Sequence, residues 1–123
     1  MNMQRNAPFL ASLLALMLST ASAHAHAMLK QASPAVGSTV PVAPKSVILT
    51  FTEKLEPAFS TVEVHNAQGA SVQAGKATVD PNERTRLRVA LKPLSPGTYK
   101  VIWHVLSVDT HRTQGDFSFS VGK

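Results

Sequence analysis

An all-β sandwich is the fold class this sequence predicts, and three observations predict it. Beyond residue 25, no window sustains the apolar period of a helix. About seven short runs alternate apolar with polar side chains instead. Proline, glycine and asparagine clusters separate these runs at short intervals, as they do in β-sandwiches. A small closed barrel is the alternative arrangement of the same strands. The chain contains no cysteine, so an apolar core must hold the domain together without the disulfides on which small exported domains often rely.

In chain order, Met1 to Asn6 is polar with one positive charge, Arg5, and Phe9 to Leu18 is an apolar run. Small residues follow, ending in Ala21-Ser-Ala23-His24-Ala25. A charged start, an apolar middle and an A-x-A exit make a cleavable signal peptide over residues 1–25. The apolar run is too short to span a bilayer comfortably as a permanent helix. Cleavage after Ala23 is the rival site. Cleavage after Ala25 leaves one domain over 26–123 that begins at His26 and is exported, which in a two-membrane bacterium means periplasmic.

The mature chain opens with proline and glycine at Pro34, Gly37, Pro41 and Pro44, a spacing that forbids a helix and predicts extended segments joined by turns. Val47, Leu49 and Phe51 then alternate with Ile48, Thr50 and Thr52, the pattern of a strand with a buried face. Thr61 to His65 resumes the alternation, and Asn66-Ala-Gln-Gly69 reads as a turn. A weaker pair of runs, Ser71 to Gly75 and Lys76 to Val79, leads into the polar connection Asp80 to Arg84. Leu87, Val89 and Leu91 then oppose Arg86, Arg88 and Ala90. The run from Thr98 to Leu106 is predicted as the longest strand, with Tyr99, Val101, Trp103 and Val105 on one side. Trp103 reads as core. Tyr99 follows Pro96-Gly97, where its hydroxyl could tie a turn as the tyrosine corner does in immunoglobulin-like folds. Phe117, Phe119 and Val121 form the last strand.

The formal charge is +5 for the whole chain and falls to +4 without Arg5. Export and the absence of a basic cluster interleaved with aromatics argue against nucleic acid as a partner. What remains is a soluble surface with some preference for anionic lipid or an acidic partner.

One polar loop carries chemistry. Ser107-Val-Asp109-Thr-His111 lies between the last two strand-like runs and sets a carboxylate and an imidazole two residues apart. Cleavage after Ala25 exposes His26 with a free α-amine beside its imidazole, a chelate whose amine, with a pKa of about 8, can yield its proton to a metal. If the fold brings His26 to Asp109 and His111, the nitrogen and oxygen set is of the kind Cu(II) prefers. Asp109 then serves as an axial or weak ligand. His65 and His104 read as satisfied surface or half-buried histidines, and Glu53 as a candidate neighbour of the site.

The order and spacing of His26-Ala-Met-Leu-Lys-Gln-Ala-Ser33-Pro34-Ala-Val-Gly37, Leu49-Thr-Phe51-Thr-Glu53, Pro96-Gly97-Thr-Tyr99-Lys-Val-Ile-Trp103, Ser107-Val-Asp109-Thr-His111 and Gly115-Asp-Phe117-Ser-Phe119 resemble the copper-resistance protein C (CopC) family over essentially the whole mature chain. The resemblance implies a Greek-key β-sandwich of immunoglobulin-like type and a Cu(II) site built from His26, Asp109 and His111. It also implies a periplasmic copper carrier or buffer in copper homeostasis or resistance, not an enzyme. A monomer is expected, with a membrane copper importer or another periplasmic copper protein as partner. Some members hold Cu(I) in a methionine-rich loop. Here Met28 is the sole methionine after residue 25, so that second site is expected to be missing. Two other functions compete: a copper-dependent oxidative enzyme with a similar N-terminal histidine centre, and a metal-free immunoglobulin-like adhesion or assembly module.

Overall fold

The computed structural model describes residues 27–123, so the expected leader and His26 lie outside the described residues. Eight strands form two four-stranded sheets. The first sheet has the order β1 (Leu29–Ser33), β3 (Ser46–Phe51), β6 (Glu83–Ala90), β5 (Thr78–Asp80). The second has the order β2 (Thr39–Val40), β8 (Arg112–Val121), β7 (Gly97–Leu106), β4 (Thr61–His65). The chain changes sheet after β1, β2, β3, β4 and β6, which is the wiring of a Greek-key sandwich rather than of a closed barrel.

Each strand forms where alternation puts one row of apolar side chains against the opposite sheet. Val47, Leu49 and Phe51 from β3, Leu87 and Val89 from β6, Val62 and Val64 from β4, and Val101, Trp103 and Val105 from β7 are all buried. Burial of each such side chain is worth about 1.5–3 kcal/mol, which gives a chain without cysteine its cohesion. Phe51 meets Trp103 edge to face across the core, with ring centroids 5.1 Å apart.

The count of eight rather than about seven comes from the proline-rich opening, which yields both β1 and the two-residue β2. β2 pairs in parallel with the end of β8. The expected run from Ser71 to Gly75 is not a strand. Ser71 and Gln73 make isolated bridges to His65 and Leu91. The last strand is longer than its apolar alternation suggested, because ten residue pairs from Gly97↔Val121 to Leu106↔Arg112 bind it to β7. Asn66 makes the predicted turn, its Oδ1 accepting from the N–H groups of Gln68 and Ala70.

Tyr99 is buried and its hydroxyl donates to the carbonyl of Ser95 at 2.6 Å, the corner tie its position predicted. Trp103 is 7% exposed and lies opposite Gly115 in the β7–β8 register. A Cβ at position 115 would come within 2.8 Å of Trp103 Cε2, so the glycine is required by the space the indole occupies. Gly115→Ala should therefore destabilise the fold by about 1–3 kcal/mol through overpacking, and Tyr99→Phe by about 1 kcal/mol through the lost hydrogen bond. Urea unfolding of the two variants checks both. A Gly115→Ala protein as stable as the parent would show that the indole can move aside at little cost.

Candidate metal centre

The β7–β8 hairpin closes on the three residues Val108, Asp109 and Thr110, with Ser107 and His111 facing each other at its base. The Thr110 N–H donates to the Ser107 carbonyl at 2.9 Å, and the Ser107 N–H donates to the His111 carbonyl at 3.0 Å. Thr110 has φ of 71°. A turn followed by a left-handed residue is the usual three-residue hairpin, but a β-branched side chain in that conformation is strained, at a cost on the order of 1–2 kcal/mol. The loop is also held from behind. Val108 N–H donates to the Lys54 carbonyl at 3.0 Å, and Leu55, fully buried, bridges to Ser107.

Ser107 is the organiser of the loop. It is fully buried, and its hydroxyl donates to Asp109 Oδ1 while accepting from the His111 N–H at 3.3 Å. One hydroxyl, with a single donor and two lone pairs, thus fixes the carboxylate relative to the histidine backbone. His111 Nδ1 lies 3.3 Å from Asp109 Oδ1, and both side chains are about half exposed, 43% and 42%. The Ser107 hydrogen bond holds the Asp109 carboxyl below its ordinary value of 3.8. Desolvation is the next-largest influence and opposes this, while hydrogen bonding and charge from His111 add to the lowering. The carboxylate is therefore ionised at any pH where an imidazole can bind metal.

Asp109 and His111 are thus brought together as expected. Two ligand atoms at right angles, each about 2 Å from one first-row metal, are roughly 2.8 Å apart. The observed 3.3 Å needs only a small closing movement for shared coordination. It equally suits a carboxylate held beside a ligating imidazole. Among the described residues, no group of three or more His, Asp and Glu side chains is close enough to hold a metal, and the third expected ligand, His26, lies outside them.

The start of the described chain does reach this loop. Ala27 is fully buried, and its carbonyl accepts from Thr113 Oγ1 at 2.8 Å across a separation of 86 residues. Met28 is clamped next to it. Its N–H donates to Thr52 Oγ1 at 2.9 Å, and its carbonyl accepts from the Thr52 N–H at 2.9 Å. Thr113 lies on β8 two residues beyond His111, so the candidate ligand in the loop and the anchor of the N-terminal segment are neighbours along the chain. Sequence reasoning missed Ser107, Thr113 and Thr52. A serine two residues before an aspartate was a local signal for the first, whereas the other two act on partners far away in sequence.

The remaining candidates sit elsewhere. His65 pairs with Glu63 through Nε2–Oε1 at 3.0 Å and lies opposite Lys100, six residues from Leu106 along β7 and so about 20 Å from the loop. His104 is exposed on the outer face of β7 and lines a hollow of about 210 Å³ with Phe59, Arg112 and Gln114. Glu53 is half-buried just before the segment that backs the loop, and none of the described hydrogen bonds joins its carboxylate to Asp109 or His111.

Comparison with known proteins places this geometry in a family. The chain is 36% identical over 118 residues to Protein YobA of Escherichia coli (strain K12), covering 95% of each protein. It is 39% identical over 110 residues to Copper resistance protein C of Xanthomonas campestris pv. juglandis, covering 85% of this chain and 86% of that one. The crystal structure of CopC from Methylosinus trichosporium OB3b superimposes with a TM-score of 0.74 at 32% identity, over 79% of this chain and 94% of the other. The sandwich, the tyrosine corner and the D-x-H hairpin all lie within residues 29–122, the span matched by the family model of the CopC domain, and the chain belongs to the CopC family.

Proposed function

We propose that this protein is an exported copper-handling protein that takes up one Cu(II) as cargo through His26, Asp109 and His111, and carries or buffers it in the periplasm. The observation that carries the reading is the hydrogen bond from Thr113 Oγ1 to the Ala27 carbonyl. It fixes the residue that follows His26 to the strand that follows His111. Adjacent Cα atoms are about 3.8 Å apart, and the anchoring of Ala27 supports His26 as a partner of the loop in this reading. A cut after Ala25 would give that residue a free amine. The names of the relatives, a copper resistance protein among them, support copper as the metal, and the nitrogen and oxygen donors support its divalent state.

In this reading His26 supplies an amine and imidazole chelate, His111 supplies the opposing imidazole, and Asp109 offsets the positive charge as an axial or outer ligand. Ser107 holds Asp109 in place. The residues from Gln68 to Arg84 contain no methionine, so no thioether cluster is available there for Cu(I). Phe59 is the one exposed aromatic side chain among the described residues. That favours a carrier, handing copper to a membrane importer or another periplasmic copper protein, over an oxidative enzyme that grips an extended substrate on an aromatic platform.

The exported protein should bind a single tight Cu(II) equivalent, and N-terminal sequencing should begin at His26. Placing one glycine ahead of His26 removes the amine from the ligand set while leaving every side chain in place. Affinity for Cu(II) should then fall at least about tenfold, or roughly 1.4 kcal/mol, with folding unchanged. His111→Ala should do comparable damage and Asp109→Asn less. Competition titration against a chelator decides, and equal affinity of the extended and native proteins would remove the amine from the site.

The pH dependence follows from the same groups. Asp109 is already ionised, so weakening of Cu(II) binding between about pH 8 and 5 should come from protons on the amine and the imidazoles. In the metal-free protein the lowered pKa of Asp109 means that its ionised form stabilises the loop at pH above the ordinary carboxylate range. That contribution is lost as pH falls through the folded-state pKa. Ser107→Ala removes the main cause of the lowering, and carbon NMR should show the Asp109 carboxyl titrating closer to its ordinary value of 3.8. An unchanged titration would mean that His111, not Ser107, sets it.

A further inference from the structure

The outer face of the β1-β3-β6-β5 sheet holds most of the positive charge found in the strands. Its strands carry Lys30, Arg84, Arg86 and Arg88 against Asp80 and Glu83, whereas the other sheet is balanced, with Lys100 and Arg112 against Glu63 and Asp116. Strand alternation is the cause. Leu87 and Val89 are buried on the inner face of β6, so Arg84, Arg86 and Arg88 stand in one exposed row, with successive members about 6.6–6.8 Å apart. Arg86 has a carboxylate partner, Asp80 at 3.3 Å. Arg84 and Arg88 have none among the described residues.

The row occupies an interior strand flanked by short side chains. Arg86 lies opposite Thr50, and Arg88 lies between Ile48 and Thr78. Arg86 borders two hollows, one of about 410 Å³ shared with Ile48, Thr78, Asp80 and Arg88, the other of about 520 Å³ shared with Lys30, Thr50 and Glu83. An interior strand has no free backbone edge, so a partner strand cannot add to it. Contact with this face must come through its side chains, and the exposed row on β6 offers three guanidinium groups. Guanidinium forks match phosphate oxygens in pairs, and a plane of phosphates is what a bilayer surface presents.

We propose that this face binds anionic phospholipid surfaces. The face adjoins the metal centre through the backbone: Leu55 N–H donates to the Arg84 carbonyl at 2.9 Å, and Leu55 bridges to Ser107. A protein lying on a membrane by its arginine row therefore presents the Asp109 loop beside the bilayer, within reach of a membrane-embedded protein. The surface reading does not rest on copper binding.

The test is co-sedimentation of the processed, exported protein with phosphatidylcholine vesicles, with and without phosphatidylglycerol. Binding should require phosphatidylglycerol and should disappear in high salt, where screening shortens the reach of charge to about 3 Å. Arg84→Gln/Arg86→Gln/Arg88→Gln should reduce vesicle partitioning by about tenfold or more. Lys76→Gln/Lys100→Gln/Lys123→Gln removes the same net charge from elsewhere and should stay within about twofold of the parent. If thermal unfolding shows the arginine triple to be damaged, the single Arg88→Gln, which breaks no described ion pair, should still lower partitioning about fivefold. Equal losses in the two triples would reduce the effect to net charge and overturn the proposal. So would the absence of phosphatidylglycerol-dependent binding, or binding to a polyglutamate peptide with none to vesicles.

Discussion

The register of β7 on β8 is the constraint on which the arrangement depends. Ten residue pairs make it, and the indole of Trp103 locks it by filling the space that any side chain opposite it would need. A slip of one residue would turn every side chain of β8 to the other face. Phe117 and Phe119 would leave the core, Thr113 would lose Ala27, and the hairpin would close on different residues. The conformation of the Asp109 loop is thus a consequence of core packing some distance away along the ladder.

Within that frame the loop is held tightly for its size. Ser107 is buried and bound to both Asp109 and His111, Val108 is tied to Lys54, and Thr110 is kept in a left-handed conformation that its branched side chain disfavours. Strain of this kind persists only where surrounding contacts over-determine it. Ionisation of Asp109 is stabilised in advance by a neutral hydroxyl. The carboxylate therefore does not need a cation to remain charged, and it can offset the charge of an incoming one without first losing a proton.

Much of this was legible in the sequence, for reasons that differ by residue. Alternation exposed the strands because one face of each is buried, and Tyr99 and Trp103 could be placed because large side chains with few tolerated environments leave few choices. Asp109 and His111 could be paired because a short hairpin loop puts them together whatever the rest of the chain does. The link from Thr113 to Ala27 could not be read, since a threonine hydroxyl at a strand start carries no mark of a partner 86 residues away. The two-residue β2 and the bridges at Ser71 and Gln73 were missed or misjudged because pairing so short depends on neighbours rather than on local pattern. His26 lies outside the described residues, and its part in the site rests on its covalent place beside Ala27.

The charge pattern shows why a linear reading underestimates a β protein. Along the sequence, Arg84, Arg86 and Arg88 alternate with Thr85 and Leu87 and look scattered. In the sheet the period of two gathers them on one face, while the acidic residues of β4 and β8 fall on the opposite sheet. The same alternation that builds the core therefore sorts the surface charge. β6 is joined to the Asp109 loop by backbone contacts at Leu55, and no described hydrogen bond or ion pair links its arginine side chains to Asp109 or His111. In the proposed reading, capture of metal at the end of the sandwich and attachment through its side rest on separate sets of side chains within one small domain.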